Sequence, residues 1–182
     1  MNIVVYCGST PVDNQAYIQA ARDLGAWIAQ EGHTLVWGGC KTGLMGEVAD
    51  AAVANQGRVI GVLPDVESIR QRMYPHMTEV VFTTTMAQRK STMIEMADAF
   101  VALPGGVGTL DEISDIFALI RLGIVTQPVV MVNAQGFYEP LRAQFDCMVQ
   151  AGYMNPGDPQ GVLFSDDIRE ISAHIMASCC SN

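Results

Sequence analysis

AFVALPGGVGTLDEISDIF, residues 99–117, is the most informative segment of this chain. It begins with a short apolar run of the length of a buried strand. A proline and three glycines follow, and then a helical pattern with carboxylates in its first turn. A strand, a glycine turn and a helix in this order point backbone N–H groups and the positive end of a helix dipole at a bound anion. The stretch therefore predicts an α/β protein with an anion site at the turn.

The residues of this turn indicate one phosphate as the anion. Gly105 and Gly106 allow a positive φ and a close approach of the backbone to a ligand, and Thr109 can cap the helix or bond a phosphate oxygen. The G-x-G-x-x-G pattern of dinucleotide sites is not met, because Asp111 stands where its last glycine would be, and no P-loop G-K-[ST] is present. The alternative is a plain strand-to-helix connection with a capped helix, and the shape of the turn leaves both open.

Strands and helices alternate along the chain. The runs predicted as strands are 3–7, 34–37, 58–63, 79–82, 99–103, 128–132 and 162–164. Such continuous apolar runs are typical of a parallel sheet covered on both faces. We therefore expect one doubly wound, Rossmann-like α/β domain over residues 1–182 with a mostly parallel sheet. The glycine turns after the first, second and fifth strands should meet at the carboxyl edge, where ligands bind in such domains.

The segment 65–77 has no convincing periodicity. It predicts a loop with at most one helical turn. Such a loop is either a mobile cover for the site or an ordinary surface crossover, and the sequence leaves both open.

Composition excludes several classes of partner. The formal net charge of −9 argues against a nucleic-acid polymer or an anionic membrane. No apolar run reaches the ~18 residues of a membrane span, and no basic leader opens the chain, so we expect a cytoplasmic protein. The cysteines, at positions 7, 40, 147, 179 and 180, form no C-x-x-C, and no histidine stands at ligand spacing. We therefore expect reduced thiols and no metal site.

Three charged residues are the candidates for chemistry. Arg89 and Lys90 fall near the start of a predicted helix, where the dipole disfavours cations, which suggests an anion close to them. Glu112 follows the glycine turn, where a carboxylate would repel a phosphate unless it served the ligand. It could hold ribose hydroxyls, or it could stabilise positive charge that grows on an anomeric carbon.

Four segments of the chain carry a resemblance to a known family. They are GGCKTGLMG (38–46), MAQRKSTM (86–93), LPGGVGTLDE (103–112) and LGIVTQPVVMVN (122–133). In these motifs the chain resembles the LOG ("lonely guy") family of cytokinin riboside 5′-monophosphate phosphoribohydrolases, some of which carry the label lysine decarboxylase. P-G-G-x-G-T-x-x-E with R-K upstream is a specific combination, and the similarity covers nearly the whole chain.

The resemblance implies a reaction and roles for residues. The family cleaves the N-glycosidic bond of a nucleoside 5′-monophosphate into free base and ribose 5-phosphate, without metal or organic cofactor, and it forms homodimers. Arg89 and Glu112 would then be catalytic, with Glu112 serving the ribose and its oxocarbenium ion. The candidate substrate-binding residues are Lys90, Gly105, Gly106, Val107, Gly108 and Thr109, together with Gly8, Ser9 and Gly39 in the turns after the first two strands.

The chain departs from the family pattern beside these residues. Val107 replaces a common tyrosine, Ala87 a histidine and Asp111 a glutamate, while Ala118-Leu119 replaces a Thr-Trp pair and Arg121 a glutamine. Because of these differences, the sequence does not decide which base the preferred substrate carries: prenylated adenine, plain adenine or another base.

Two other activities can be weighed from the sequence. A pyridoxal-dependent decarboxylase needs a Schiff-base lysine, and this chain offers only Lys41 and Lys90. A non-catalytic carrier of a nucleotide or of the molybdenum cofactor, on the same fold, is the alternative to the hydrolase. The presence of both Arg89 and Glu112 favours the hydrolase.

Overall fold

Seven strands form one sheet in the computed structural model, which describes residues 1–179; Cys180 lies outside the described residues. The strands are β1 (Asn2–Tyr6), β2 (Thr34–Trp37), β3 (Arg58–Pro64), β4 (Glu79–Thr83), β5 (Ala99–Ala102), β6 (Val129–Val132) and β7 (Val162–Ser165). The helices are α1 (Gln15–Gln30), α2 (Gly43–Ala54), α3 (Glu67–Arg70), α4 (Met86–Met96), α5 (Val107–Arg121), α6 (Glu139–Gln150) and α7 (Ile168–Cys179), with a 3-10 turn at Ala134–Gly136.

The sheet has the order β4-β3-β2-β1-β5-β6-β7, and every neighbouring pair is parallel. From β1 the chain builds outward to β4, then returns to place β5 on the other side of β1. In the register of these central strands, Val4 pairs with Val36 of β2 and with Phe100 of β5. The crevice between β1 and β5 is therefore the switch point of a doubly wound sheet, which confirms the predicted fold class.

Side-chain alternation along β1 divides the core into two layers. Ile3 and Val5 pack on one face with α1, α2 and α7, whereas Val4 and Tyr6 pack on the other with α4 and α5. Both faces of the central strands are thus buried, as their continuous apolar runs predict.

The segment 65–77 contains the four-residue helix α3 in an otherwise irregular path, as expected. The predicted strand ends agree with the observed ends to within one residue, and Pro64 is the last residue of β3 rather than the residue after it. No helix within residues 1–179 combines the length and apolar character that a membrane crossing requires.

Candidate active site

The N-terminus of α5 lies at the switch point and leaves several backbone donors without helical partners. Gly106 is its N-cap and supplies no side-chain hydrogen bond. Helical pairing begins with the N–H of Leu110, which donates to the Gly106 carbonyl at 3.0 Å. The N–H groups of residues 107–109 therefore have no acceptor inside the helix and lie at the positive end of its dipole. The Thr109 side chain is buried beside these donors.

Gly105 is required by close packing rather than by a positive φ. A Cβ on Gly105 would collide with the Thr109 side chain and lie 3.0 Å from the Gly8 nitrogen. Gly106 has φ −95°, and Gly105 is not among the glycines with positive φ, so of the two properties that these glycines allow, the turn uses the close approach and not the positive φ. The turns after β1 and β5 pack on each other, and the Gly8 N–H donates to the Pro104 carbonyl at 3.1 Å.

A cavity of about 420 Å³ opens in front of these donors. It is lined by Cys7, Gly8, Ser9, Thr10, Val12, Tyr17, Leu44, Met45, residues 104–109, Glu112 and Phe137. Burial raises the pKa of the Cys7 thiol, which therefore stays protonated at neutral pH and does not act as a nucleophile. The chemistry at this cavity must come from its other polar groups.

Glu112 and Arg89 form a buried ion pair beside the cavity. Arg89 Nη1 lies 2.5 Å from Glu112 Oε1, and the side chains are 7% and 8% exposed. Arg89 reaches Glu112 from α4, and its Nε also donates to the Val62 carbonyl at 3.0 Å. Gly38 makes room for this arrangement, because a Cβ there would run into the guanidinium. The two predicted catalytic residues are thus brought together and fixed.

Burial controls the ionisation of Glu112. Removal from water raises the pKa of its carboxyl, and the charge and hydrogen bond of Arg89 oppose that rise. The nearby Asp111 raises the pKa further by a smaller amount. Glu112 thus sits where a carboxylate is costly, and Arg89 is the main group that favours its ionised form.

Lys90 points to a different set of carboxylates. Its Nζ lies 2.7 Å from Asp115 and 3.1 Å from Asp111, both on the outer side of α5. These contacts, of which the one with Asp115 has the larger effect, raise the pKa of Lys90. The anions beside Arg89 and Lys90 are therefore the protein's own carboxylates.

A second cavity, of about 170 Å³, lies on the other side of the ion pair. It is lined by Ser9, Gly38, Cys40, Met45, Leu63, Pro64, Ile69, Arg72, Met86 and Arg89. Ser9 and Met45 also line the first cavity, so the two cavities meet there. Glu112 faces the first cavity and Arg89 the second, which places their pair between two compartments.

Most of the predicted substrate-binding residues line these cavities. Gly8, Ser9 and residues 105–109 line the larger cavity, whereas Gly39 and Lys90 are not among the residues lining either one. Gly39 has φ +69°, and its carbonyl accepts a hydrogen bond from the Tyr74 N–H. Within residues 1–179, no group of three or more His, Cys, Asp or Glu side chains is placed to hold a metal ion.

Sequence reasoning missed Arg72 and the aromatic wall of the first cavity. Arg72 lies in the segment 65–77, where no period or motif marks a functional residue. Tyr17 and Phe137, whose rings meet edge to face at 5.6 Å, come from distant parts of the chain. Tyr17 reads in the sequence as one of the apolar positions of α1, so no signal marks it as a wall of the site.

The comparison with known proteins decides the family. The family described as "Possible lysine decarboxylase" matches residues 45–175. A cytokinin riboside 5′-monophosphate phosphoribohydrolase of Mycobacterium tuberculosis is 38% identical over 168 residues, which are 92% of this chain and 89% of the relative. This chain belongs to the LOG family. A protein of the same name from Rhodococcoides fascians is 35% identical over 175 residues, which are 96% of this chain and 88% of the relative. The rice protein LOG is 37% identical over 169 residues, which are 93% of this chain and 70% of the rice protein.

The fold of this chain is similar to the solved structures of molybdenum-cofactor proteins. A molybdenum cofactor carrier protein from Chlamydomonas reinhardtii matches 100% of this chain and 98% of its own with a TM-score of 0.74. A molybdenum cofactor binding protein from Rippkaea orientalis matches 99% of this chain and 97% of its own with a TM-score of 0.70. Both are 21% identical to this chain, so the likeness concerns the fold.

Proposed function

We propose that this LOG-family protein hydrolyses the N-glycosidic bond of adenosine 5′-monophosphates, N6-substituted or plain, to free base and ribose 5-phosphate. The observation that carries this proposal is the buried Arg89–Glu112 pair beside a cavity that ends at the N-terminus of α5. Relatives at 35–38% identity that are named cytokinin riboside 5′-monophosphate phosphoribohydrolases support it.

The 5′-phosphate binds at the start of α5. Free N–H groups of residues 107–109 and the Thr109 hydroxyl beside them are the donors that a phosphate requires. Gly8 and Ser9, from the neighbouring turn, line the same cavity and close the other side of the phosphate.

Glu112 then serves the sugar. As the bond between C1′ and the base nitrogen lengthens, positive charge develops on the anomeric carbon, and a carboxylate held in a site of low polarity stabilises it. Water adds to C1′, and Glu112 is the base placed to take its proton. Arg89 favours the ionised form of Glu112 and orients its carboxylate, and the bond of Arg89 to the Val62 carbonyl holds the guanidinium in place. This division of labour needs neither a metal nor an organic cofactor.

The described lysines do not suit a pyridoxal enzyme. Lys41 donates to the Gln71 carbonyl at 3.2 Å, and Lys90 is held by Asp111 and Asp115. Neither lysine lines one of the two cavities. The hydrolase is therefore the activity that these residues favour over an amino-acid decarboxylase.

The proposal extends to assembly and setting. We infer a homodimer that covers the apolar side chains exposed beside the site, of which Val107 is 86%, Met86 53% and Leu110 47% exposed. Free thiols at Cys7, Cys40 and Cys147 suit a reducing cytoplasm. The charge of −9 favours a small anionic substrate bound at a local site over a nucleic-acid polymer.

The test is release of free base from a panel of nucleoside 5′-monophosphates, including AMP and its N6-prenyl derivative, followed by chromatography. We expect the Glu112→Gln variant to lose about 10²- to 10³-fold in kcat, since it removes the charge that stabilises the transition state. Glu95→Gln, which changes an exposed glutamate of α4, is the matched control and should keep wild-type activity.

Two results would contradict the proposal. Full activity of the Glu112→Gln variant would show that the Glu112 carboxylate is not needed for catalysis. Absence of base release from every nucleotide, together with tight binding of a phosphorylated pterin, would instead assign the protein to the carriers.

A further inference from the structure

Arg72 brings a cation to the point where the two cavities meet. Its Nη2 lies 3.4 Å from the Ser9 hydroxyl, and both residues line the second cavity. Ser9 lines the first cavity as well. The guanidinium of Arg72 can therefore contact a ligand that extends from the first cavity into the second.

The backbone around Arg72 is fixed, although its side chain is exposed. Its carbonyl accepts from the Lys41 N–H at 3.0 Å, and the Tyr74 N–H donates to the Gly39 carbonyl at 2.8 Å. Tyr74 itself is buried, and its hydroxyl donates to Asp50 at 2.7 Å. The backbone of Arg72 is thus fixed against the glycine turn after β2, and from there its side chain reaches Ser9 and the second cavity.

The charge of Arg72 is not neutralised by the protein. The neighbouring Arg70 forms an ion pair with Asp65 at 2.5 Å and lies over the ring of Phe82. Within residues 1–179, no carboxylate lies within ion-pair distance of Arg72, and its guanidinium donates to the Ser9 hydroxyl. A guanidinium carries five N–H donors and no acceptor, so most donors of Arg72 are free to bind a ligand.

The second cavity suits a base. Met45, Leu63 and Met86 give it apolar walls for the faces of a planar ring, and no carboxylate is among its lining residues. With a phosphate at the start of α5 and the sugar at Glu112, the base of a nucleotide would extend past the ion pair into this compartment. Arg89 lines it too, but Arg89 is already bound to Glu112 and the Val62 carbonyl.

We propose that Arg72 stabilises the departing base by donating a hydrogen bond to one of its ring nitrogens, an inference that rests on the proposed hydrolase function. When the bond from C1′ to the base breaks, its electron pair goes to the base. Water oxygen adds to C1′, its proton passes to Glu112, and solvent returns a proton to the base. A cationic donor at the base lowers the cost of the negative charge in the transition state. Glu112 and Arg72 thus act on opposite ends of the breaking bond.

A series of substrates with different leaving bases tests this role. AMP, 2-fluoro-AMP and 6-chloropurine riboside 5′-monophosphate are similar in size, and their bases leave with increasing ease. We expect Arg72→Ala to lower kcat for AMP by about 10²-fold and to leave the 6-chloropurine compound little affected, which steepens the dependence of kcat on the leaving base. Arg72→Lys, which keeps the charge, should restore part of the AMP rate.

Arg70→Ala is the matched control, because it removes a neighbouring arginine whose partners lie outside the cavity. It should keep the wild-type rates on all three substrates. An equal loss on all three in Arg72→Ala, or no loss on AMP, would overturn the inference while the wild-type enzyme still releases base. A wild-type protein that releases base from none of them contradicts the proposed function instead.

Discussion

At the scale of single residues, the site depends on an ion pair that would be costly without its partner. Glu112 and Arg89 are both buried, and each loses its hydration on folding. Replacement of one member of such a pair leaves an isolated charge in the interior, which typically costs about 3–5 kcal/mol. The free energy of unfolding therefore depends on whether Glu112 is ionised.

Arg89→Met should make the free energy of unfolding depend more strongly on pH. The pKa of Glu112 is already raised by burial, and loss of Arg89 raises it further. A carboxyl whose pKa is higher in the folded chain than in the unfolded chain takes up protons on folding, so its contribution to stability falls as pH rises through the folded pKa. We expect a deficit of about 3–5 kcal/mol at neutral pH that shrinks in acid, measured by urea denaturation.

The double variant Arg89→Met, Glu112→Gln is the control for this experiment. It has no ionisable group at position 112, so the additional pH dependence should disappear. A deficit of the same size at every pH would show that lost packing, rather than the charge of Glu112, destabilises the single variant.

At the scale of elements, the start of α5 combines an anion site with tight packing. Its backbone donors are exposed to the cavity because Gly106 caps the helix without a side chain. Gly105 lets the turn after β5 lie against Thr109 and Gly8. The shape of the phosphate site and the contact between two turns thus depend on one glycine.

Gly105→Ala should weaken both the turn and the binding of nucleotide. The added methyl group meets Thr109 and the Gly8 backbone, and such overpacking costs about 1–3 kcal/mol. We expect a lower melting temperature and a KM for nucleoside monophosphates raised at least about tenfold, the ratio that corresponds to 1.4 kcal/mol.

Gly108→Ala provides the contrast within the same turn. No atom lies within 4 Å of a Cβ built at Gly108, so the melting temperature should be unchanged or slightly higher. Equal destabilisation by both alanines would contradict the packing role assigned to Gly105.

The same elements show what the sequence can and cannot predict about the site. The stretch 99–117 predicts the strand, the turn and the helix, because each has its own period or turn chemistry. Glu112 and Arg89 are predicted as neighbours only through the family resemblance, since they lie on different helices. Arg72 could not be predicted, because it lies on an irregular path fixed by backbone bonds to Gly39 and Lys41 that leave no pattern in the sequence.

At the scale of the whole molecule, the sheet is the part that the sequence predicts best. Apolar runs such as Thr34–Trp37 match observed strands, because both faces of these strands are buried. The order of the strands is harder to predict, because alternating strands and helices are compatible with several parallel orders. Pairing of β1 with β5 is a long-range contact that local patterns do not encode.

The surface of the molecule predicts a dimer. We expect the wild-type chain to have about twice the 19.6 kDa mass of one protomer in light scattering, and Leu110→Asp to favour the monomer. The reason is that a charge one turn along α5 from Val107 disfavours burial of this exposed apolar surface between two copies. Tyr153→Asp, at an 82% exposed side chain before β7, should remain dimeric. A monomeric wild-type protein would contradict the assembly.

The place of β1 in the sheet also governs how the protein is made. Ile3 leaves the ribosome well before Ala99, its partner across the switch point, has been synthesised. Until then the nascent chain can assemble β1 to β4 only, and one edge of β1 remains an unpaired strand, which is prone to wrong association. Arg89 likewise meets Glu112 only after the start of α5 has emerged. The active site can therefore form only late in biosynthesis. The partial sheet of β1 to β4, with one edge of β1 unpaired, is the intermediate that most needs a chaperone.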